Sequence, residues 1–216
     1  MSAHEHPDVV RFVAWMTGSQ MAGADVLAKV PRKDEPDVDA RIREIIRWFM
    51  DRRLPSRGRT APVNLDAILR GDTIPLDMSH PLIRGDTRRL NVLQRALQSK
   101  CLLTALGNVA PGPRAGFILR ELMGWSAKRL DGVFESPTAA RVNHTRGVTN
   151  LDKYLGVRCE HMDPGNPCRC HVRLGAALAQ EFITWPEHDC FDSEKPLNPG
   201  KPQTIHSLMR SLQAPA

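Results

Sequence analysis

Residues 111–155 read PGPRAGFILRELMGWSAKRLDGVFESPTAARVNHTRGVTNLDKYL, and this stretch determines the predicted fold. Three helix patterns follow one another in it. The first covers 114–123 and ends at Gly124, because glycine readily adopts the left-handed conformation that closes a helix. The second begins near Ser126, a favoured N-cap residue. The third begins at residues 136–137, where a serine N-cap and a proline at the first helical position form a strong start signal, and it runs to the end of the stretch.

The third helix has an apolar face and an opposite polar face. Arginine can bind guanine through two hydrogen bonds, and asparagine can bind adenine in the same way. The pattern predicts a helix-turn-helix whose third helix enters the major groove, while a plain three-helix bundle with a polar surface is the alternative. His144 lies on the apolar face and is predicted to be a packed core histidine. The predicted DNA-binding residues are Arg141, Asn143, Thr145, Arg146 and Asn150, together with Arg129 from the second helix.

The rest of the chain is also predicted to be helical, since no segment alternates between apolar and polar residues with period two. The fold class is all-α, with two small helical domains joined by a Pro/Gly-rich linker, the second of them the helix-turn-helix, and a Cys/His C-terminal extension. The predicted boundaries are 1–54 for the first domain, 55–86 for the linker, 87–157 for the DNA-binding domain and 158–216 for the extension. Helices are expected at 9–30 with a break near Gly18, at 38–53, at 87–106, at 174–183 and, as a short piece, at 205–212.

The helix predicted at 38–53 combines an apolar stripe with many arginines. The stripe consists of Ile42, Ile45, Ile46, Phe49 and Met50. Arginines occupy the remainder of its surface, which is either a solvated face or a surface for phosphate contact. They are Arg41, Arg43, Arg47, Arg52 and Arg53.

Composition indicates the class of partner. The chain has 216 residues, 41% of them apolar, and a formal net charge of +6. A positive balance favours a polyanion, either nucleic acid or an anionic membrane surface, although a merely soluble basic protein is also compatible with it. No apolar run reaches the length of about 18 residues that a membrane span needs, and the polar N-terminus does not resemble a signal peptide. The sequence therefore predicts a cytoplasmic protein without a membrane partner.

The pattern PxPRxxxILRELxGWS at 111–126 carries a family resemblance. It has a proline–arginine start, a hydrophobic helix that ends in arginine–glutamate, and then glycine, a hydrophobic residue and serine. It resembles the fourth conserved region of bacterial sigma factors of the extracytoplasmic-function type, and residues 136–155 resemble the recognition helix of that region. More loosely, residues 10–27 and 45–53 resemble the second conserved region.

The resemblance implies a transcription initiation factor that is not an enzyme. Its partners would be double-stranded promoter DNA and the RNA polymerase core, with an anti-sigma or other regulatory protein as a further candidate. Where the family has a hydrophobic–glutamine–glutamate helix that binds the polymerase, this chain has Ala28 and Lys29. That departure motivates an alternative: a sigma-derived DNA-binding regulator, zinc- or redox-responsive, that does not bind the core enzyme.

Residues 159–171 read CEHMDPGNPCRCH and concentrate soft metal ligands around a proline–glycine turn. Zinc prefers four such ligands in a tetrahedron, so a structural zinc is predicted, and some sigma-like proteins have a similar tail. The candidate ligands are Cys159, His161, Cys168, Cys170 and His171. Alternatives are a disulfide from Cys159 to Cys168 or Cys170, or unbridged thiols.

Three further expectations concern the same chemistry. A metalloenzyme would need an acidic general base, and only Glu160 and Asp163 are near the cluster. Cys101 is expected to pack within its helix. Cys190, beside His188, is a substitute ligand or a loop residue.

Overall fold

The computed structural model of the protein describes residues 5–31, 37–51, 64–70, 74–80, 84, 87–185, 202–212 and 214–215. This described part is helical and contains no strand, so the predicted all-α class is confirmed. The α-helices are α1 (Pro7–Thr17), α2 (Gln20–Lys29), α3 (Val38–Asp51), α4 (Leu65–Arg70), α5 (Thr87–Gly107), α6 (Pro111–Phe117), α7 (Ala127–Asp131), α8 (Pro137–Leu155), α9 (Cys170–Ala179) and α10 (Ile205–Arg210).

The break between α1 and α2 follows from two adjacent residues. Gly18 closes α1 at φ +80°, and its N–H donates to the carbonyl of Ala14 at 2.7 Å. Ser19 then opens α2, since its hydroxyl accepts the N–H of Ala22 at 3.4 Å. The predicted interruption near Gly18 is confirmed.

In the segment from α6 to α8, helix α6 begins at Pro111, three residues before its predicted start, whereas the other signals stand where predicted. After α6, the chain continues in a π-helical turn over Ile118–Leu122, and Gly124 closes it at φ +72°. The Ser126 hydroxyl accepts the N–H of Arg129 at 3.2 Å and caps α7. In the same way, Ser136 accepts the N–H of Ala139 at 3.1 Å and caps α8.

Helices α6 and α8 cross at close range because glycine stands at the crossing. A Cβ atom on Gly116 would lie 2.8 Å from the backbone nitrogen of His144. On α8, a Cβ on Gly147 would meet the carbonyl oxygen of Pro113 and would lie 2.9 Å from the Cβ of Phe117. Larger residues there would force the helices apart, so this crossing fixes the face of α8 that points inward.

The chain divides into two compact units whose boundaries differ from the predicted domains. The first unit consists of Met1–Val63, Leu106–Asp152 and Met209–Ala216, and the second consists of Asn64–Ala105 and Lys153–Leu208. The N-terminal helices therefore share a unit with α6, α7 and most of α8. Part of the predicted linker, including residues 55–63, lies outside the described residues.

Each unit has an aliphatic core with a few aromatic side chains. In the first unit α1 and α3 contribute most, together with the segment around α6. Its buried residues include Val9, Phe12, Val13, Met16, Ile42, Ile45, Ile46, Phe49, Phe117, Ile118, Leu119 and Leu151. Met50, predicted to belong to the apolar stripe of α3, is 48% exposed instead.

The second unit is built on α5 and α9. Its core includes Leu93, Leu97, Leu102, Leu174, Ala176, Ala177, Phe182, Ile183, Ile205 and Leu208. Gly175 permits close packing, since a Cβ there would meet the backbone of Ile74 and Pro75. The helix that contains Gly175 begins at Cys170, four residues before its predicted start. None of the described helices combines the length and the apolar character that a bilayer crossing requires.

Candidate functional site

The outer face of α8, defined here as Arg141, Thr145, Arg146 and Asn150, is exposed along its whole length. Within the described residues, neither arginine of this face forms an ion pair. Val142, 37% exposed, lies on the same side of the helix. Sequence reasoning did not include Val142, although an exposed apolar residue can contact a thymine methyl group. This surface therefore presents two uncommitted cations and several hydrogen-bonding groups to the solvent.

Two other polar residues of α8 point toward the protein. Asn143 is half-buried, donates to the carbonyl of Ala139 at 3.0 Å, and packs over Gly112. His144 lies 2.8 Å from the buried carboxylate of Glu121, which also accepts a bond from Arg210 at 2.7 Å. Asn143 was predicted on the DNA-binding face and lies at its edge. His144 is more exposed than a packed core residue, with 25% of its side chain accessible.

Arg129, the predicted DNA contact on α7, is bound to an acid of the same unit. Its guanidinium donates to Asp39 on α3 at 2.8 Å, lies 3.9 Å from Asp8, and stacks 3.5 Å from the ring centroid of Trp125. A guanidinium held in this way would have to leave its carboxylate before it could contact DNA. We therefore separate Arg129 from the outer face of α8.

Arg41 and Arg43 of α3 form hydrogen bonds to other residues of the first unit. Arg41 is 7% exposed, donates to Glu5 at 2.8 Å, and donates to the carbonyl of Pro31 at 2.7 Å. Arg43 donates to the carbonyl of Gly132, beside the turn that precedes α8. Arg47 is exposed, and the remaining members of the predicted arginine face, residues 52 and 53, lie outside the described residues.

The Cys/His segment, residues 159–171, folds back on itself as the proline–glycine turn predicts. Cys159 and Cys168 form an isolated β-bridge, in which the N–H of Cys168 donates to the carbonyl of Arg158 at 3.0 Å. The side chain of Asn166 donates to the carbonyls of Gly156 and Cys159 at 2.8 and 3.0 Å. These bonds hold the two ends of the segment together.

Three potential metal ligands are buried at the base of this turn. One atom each of Glu160, His161 and Cys170 lies within 4.8 Å of the other two, so the cluster could hold a metal ion. The Nε2 atom of His161 lies 3.6 Å from the Sγ atom of Cys170. Glu160 accepts the N–H of Cys170 at 2.6 Å and thereby binds the first turn of α9. Helix α9 begins before its predicted start because the Glu160 carboxylate, ten residues earlier in the chain, accepts one of the N–H groups that have no partner within the helix.

The thiols around this cluster favour their neutral form. Burial, with a smaller contribution from the neighbouring thiol of Cys168, raises the pKa of Cys159 to about 11. Burial also raises the pKa values of Cys170 and Cys101, and each of these two thiols is affected by Cys168 and Cys159. No disulfide joins the four cysteines that the structure describes. The thiols of Cys101, Cys159 and Cys170 are therefore protonated at neutral pH.

The structure brings only some of the predicted metal ligands together. Cys159, His161, Cys168 and Cys170 lie in one region, whereas His171 is exposed on the first turn of α9. Cys190 and His188 lie outside the described residues. Asp163, considered as a catalytic base, is exposed and accepts the N–H of Gly165 at 2.7 Å, while Glu160 is occupied at the start of α9.

One residue near the cluster was missed because it comes from α5. The buried side chain of Gln98 lies 3.1 Å from the Nε2 atom of His161. Nothing in the sequence indicates a partner more than sixty residues away.

Comparison of the chain with protein-family models, curated proteins and solved structures finds no match.

Proposed function

We propose that the protein is a sigma-factor-like transcription initiation factor that binds duplex promoter DNA through the outer face of α8 and also binds the RNA polymerase core. The observation that carries this proposal is the exposure of Arg141, Thr145, Arg146 and Asn150 on one side of a capped helix. Groups of this type read base edges in the major groove and contact phosphates.

The positive charge of the chain also supports DNA binding. The chain carries 30 lysines and arginines against 24 acids, but many arginines are bound to carboxylates or carbonyls of the protein. The cations at positions 141 and 146 are exposed and form no ion pair among the residues that the structure describes, so an external anion can reach them. The outer face of α8 has two arginines with polar residues between and beyond them. Such a face can contact the regularly spaced phosphates of duplex DNA.

A second candidate is a DNA-binding regulator that does not bind the core polymerase. The N-terminal helices favour it, because α3 is bonded to the segment around α7 through Asp39 and Arg43. On α2, Ala28 and Lys29 are exposed where the sigma-factor pattern has a polymerase-binding surface of different chemistry. A pull-down with purified core polymerase separates the candidates, since retention of the chain supports the initiation factor and its absence leaves the regulator.

The DNA proposal is tested with a random-sequence duplex pool selected on the wild-type protein. Arg141→Ala and Arg146→Ala should each weaken binding about tenfold, because a base or phosphate contact by arginine contributes about 1–3 kcal/mol. Lys100→Ala, which removes one exposed charge from α5, should change the affinity less than twofold. Failure of the pool to enrich, or equal effects of all three variants in a mobility-shift titration, would contradict the proposal.

We also propose that the Cys/His segment holds a structural zinc ion. With zinc–sulfur and zinc–nitrogen bonds of about 2.3 and 2.0–2.1 Å, two ligands of a tetrahedral zinc are separated by roughly 3.6 Å. The Cys170 sulfur and the His161 nitrogen have this separation, 3.6 Å. The bridge at Cys159 and Cys168 brings two more thiols to the same segment. When bound, the ion would balance the thiolates and fix the turn.

A further inference from the structure

A row of three side chains on α3 faces the segment from α7 to α8. Asp39, Arg43 and Arg47 are spaced four residues apart and therefore lie on one side of the helix. Asp39 accepts a hydrogen bond from Arg129 of α7 at 2.8 Å, and Arg43 donates to the carbonyl of Gly132 in the turn that follows α7. These two bonds fix the rotation of α3, so the third member of the row is directed toward the beginning of α8.

Arg47 lines an open groove between α3 and α8. The groove has a volume of about 390 Å³ including its mouth, and α8 contributes Ala139 and Asn143 to its lining. Arg47 is exposed and forms no ion pair within the described part of the chain, although Glu135 lines the same groove. The row on α3 thus has two members that bind the protein itself and one cation that an external anion can reach.

The side of α8 that borders this groove continues into the outer face of the helix. Arg146 and Asn150 follow Asn143 by three and seven residues, so they lie one and two turns further along the same side. Both are exposed and belong to the outer face of α8. A duplex bound on that face therefore passes the mouth of the groove, and Arg47 stands on the opposite rim.

The lining of the groove suits a phosphate better than an apolar peptide. Ile46 and Val133 are 3% and 1% exposed, so they belong to the core and offer little surface to a partner. Met50, 48% exposed, is the one large aliphatic side chain of this lining that reaches the solvent. An amphipathic helix would need several apolar anchors spaced one turn apart, whereas a single exposed guanidinium is sufficient for a phosphate contact.

We propose that Arg47 of α3 contacts a backbone phosphate of the same duplex that α8 binds, so that α3 and α8 form one continuous DNA-binding surface. This inference rests on the proposed DNA binding by α8 and adds a positioning residue from a distant part of the chain. A phosphate contact carries no sequence information, but it fixes the orientation of the protein on the duplex. Arg41 and Arg43 stabilise the first unit, and Arg47 binds the DNA.

Titration of the full chain with a short form of the selected duplex tests the inference. A duplex of about 12 base pairs, little more than one helical turn, has room for α8 and its immediate surroundings only. Arg47→Ala should weaken binding about fivefold and should reduce the salt slope by about 1, because one phosphate contact is lost. Arg47→Lys keeps the charge and should restore most of both quantities. Lys29→Ala is the matched control, since it removes an exposed cation of the same unit from α2, and it should behave as wild type.

Selection and melting experiments separate a phosphate contact from other roles. A random-sequence pool selected on Arg47→Ala should yield the wild-type sequence, because the lost contact does not read bases. The Tm of Arg47→Ala should equal that of the wild type, and weaker binding with a lower Tm and an unchanged salt slope would reveal a structural role instead.

Three outcomes decide between this inference and the proposed function. Unchanged affinity and salt slope in Arg47→Ala, with a loss in Arg141→Ala, would overturn the inference, leave the DNA proposal standing and leave the groove to a protein partner. An effect of Arg47→Ala that appears only on longer duplexes would also overturn it, because Arg47 would then contact a separate stretch of DNA. Failure of the wild-type protein to bind any duplex would overturn both.

Discussion

The outer face of α8 and the Cys/His segment are both dense in polar side chains, but they differ in what those side chains contact. On α8, Arg141 and Arg146 are exposed and form no ion pair within the described residues. In the Cys/His segment, Glu160 and His161 are 3% and 2% exposed and are bonded to neighbouring groups. Exposed cations suit an external polyanion, whereas buried groups that can coordinate a metal suit an ion held within the protein.

Arginines within the segment from α6 to α8 also differ in whether they are buried and bonded or exposed. Arg114 on α6 is 7% exposed and donates to the carbonyls of Val109 and Met16 at distances of 2.7–3.0 Å. Burial lowers the pKa of Arg114 to about 10, so it remains charged at neutral pH. Arg114 thus stabilises the fold, whereas Arg141 is exposed. Residue type alone is therefore a poor guide to which arginine could contact a partner.

Removal of the metal should have the largest effect. Structural zinc contributes about 10–16 kcal/mol of apparent binding free energy in small metal-dependent domains, comparable with the whole stability of a domain. A chelator in reducing buffer should therefore abolish part of the helical circular dichroism and lower Tm. Stoichiometric zinc should restore both. An identical melting curve with and without chelator would show that the buried cluster does not depend on a cation.

Substitution of the buried Arg114 should have the second largest effect. Arg114→Ala leaves several carbonyls without their charged donor and should lower the free energy of unfolding by roughly 3 kcal/mol. Arg141→Ala, the matched exposed arginine, should change it by less than about 0.5 kcal/mol. Urea unfolding of both variants measures the difference. Equal losses would remove the distinction between structural and recognition arginines.

The salt dependence of DNA binding should change by a smaller amount, which corresponds to the number of phosphate contacts that are lost. Each phosphate contact releases counterions, so the logarithm of the affinity falls linearly with the logarithm of the salt concentration. The double variant of Arg141→Ala and Arg146→Ala should reduce this slope by up to about 2 if both side chains contact phosphates. Lys100→Ala should leave the slope unchanged. A flat salt response of the wild-type protein would contradict a nucleic-acid partner.

Arg129 should show the smallest effect. Its side chain is 38% exposed, so solvent screens its pair with Asp39, and Arg129→Ala should cost about 0.5 kcal/mol or less of stability. DNA affinity should change less than twofold, because this guanidinium is engaged within the protein. A tenfold loss of affinity in the mobility-shift assay would instead support Arg129 as a DNA contact from the second helix, as the sequence pattern predicts.

The helix boundaries could be predicted because local residues determine them. Gly18 and Gly124 adopt positive φ where the pattern places helix ends, and Ser126 and Ser136 cap the helices that follow them. Such signals lie within four residues of the boundary they set, so one sequence is sufficient to identify them.

The composition of the sites could not be predicted in full, because distant contacts decide it. Arg129 meets an acid 90 residues earlier in the chain, and His161 meets Gln98 across 63 residues. Contacts between residues that are far apart in the chain leave no local signal in a single sequence, so neither pairing could be predicted.

Site-specific photo-crosslinking to the selected duplex measures whether the outer face of α8 contacts DNA. A benzophenone side chain introduced at Thr145 or at Asn150 lies on the outer face of α8, while the same group at Lys100 occupies an exposed position on α5. The account predicts duplex crosslinks from positions 145 and 150 and background levels from position 100. Bound duplex that crosslinks from position 100 but not from either position on α8 would contradict it.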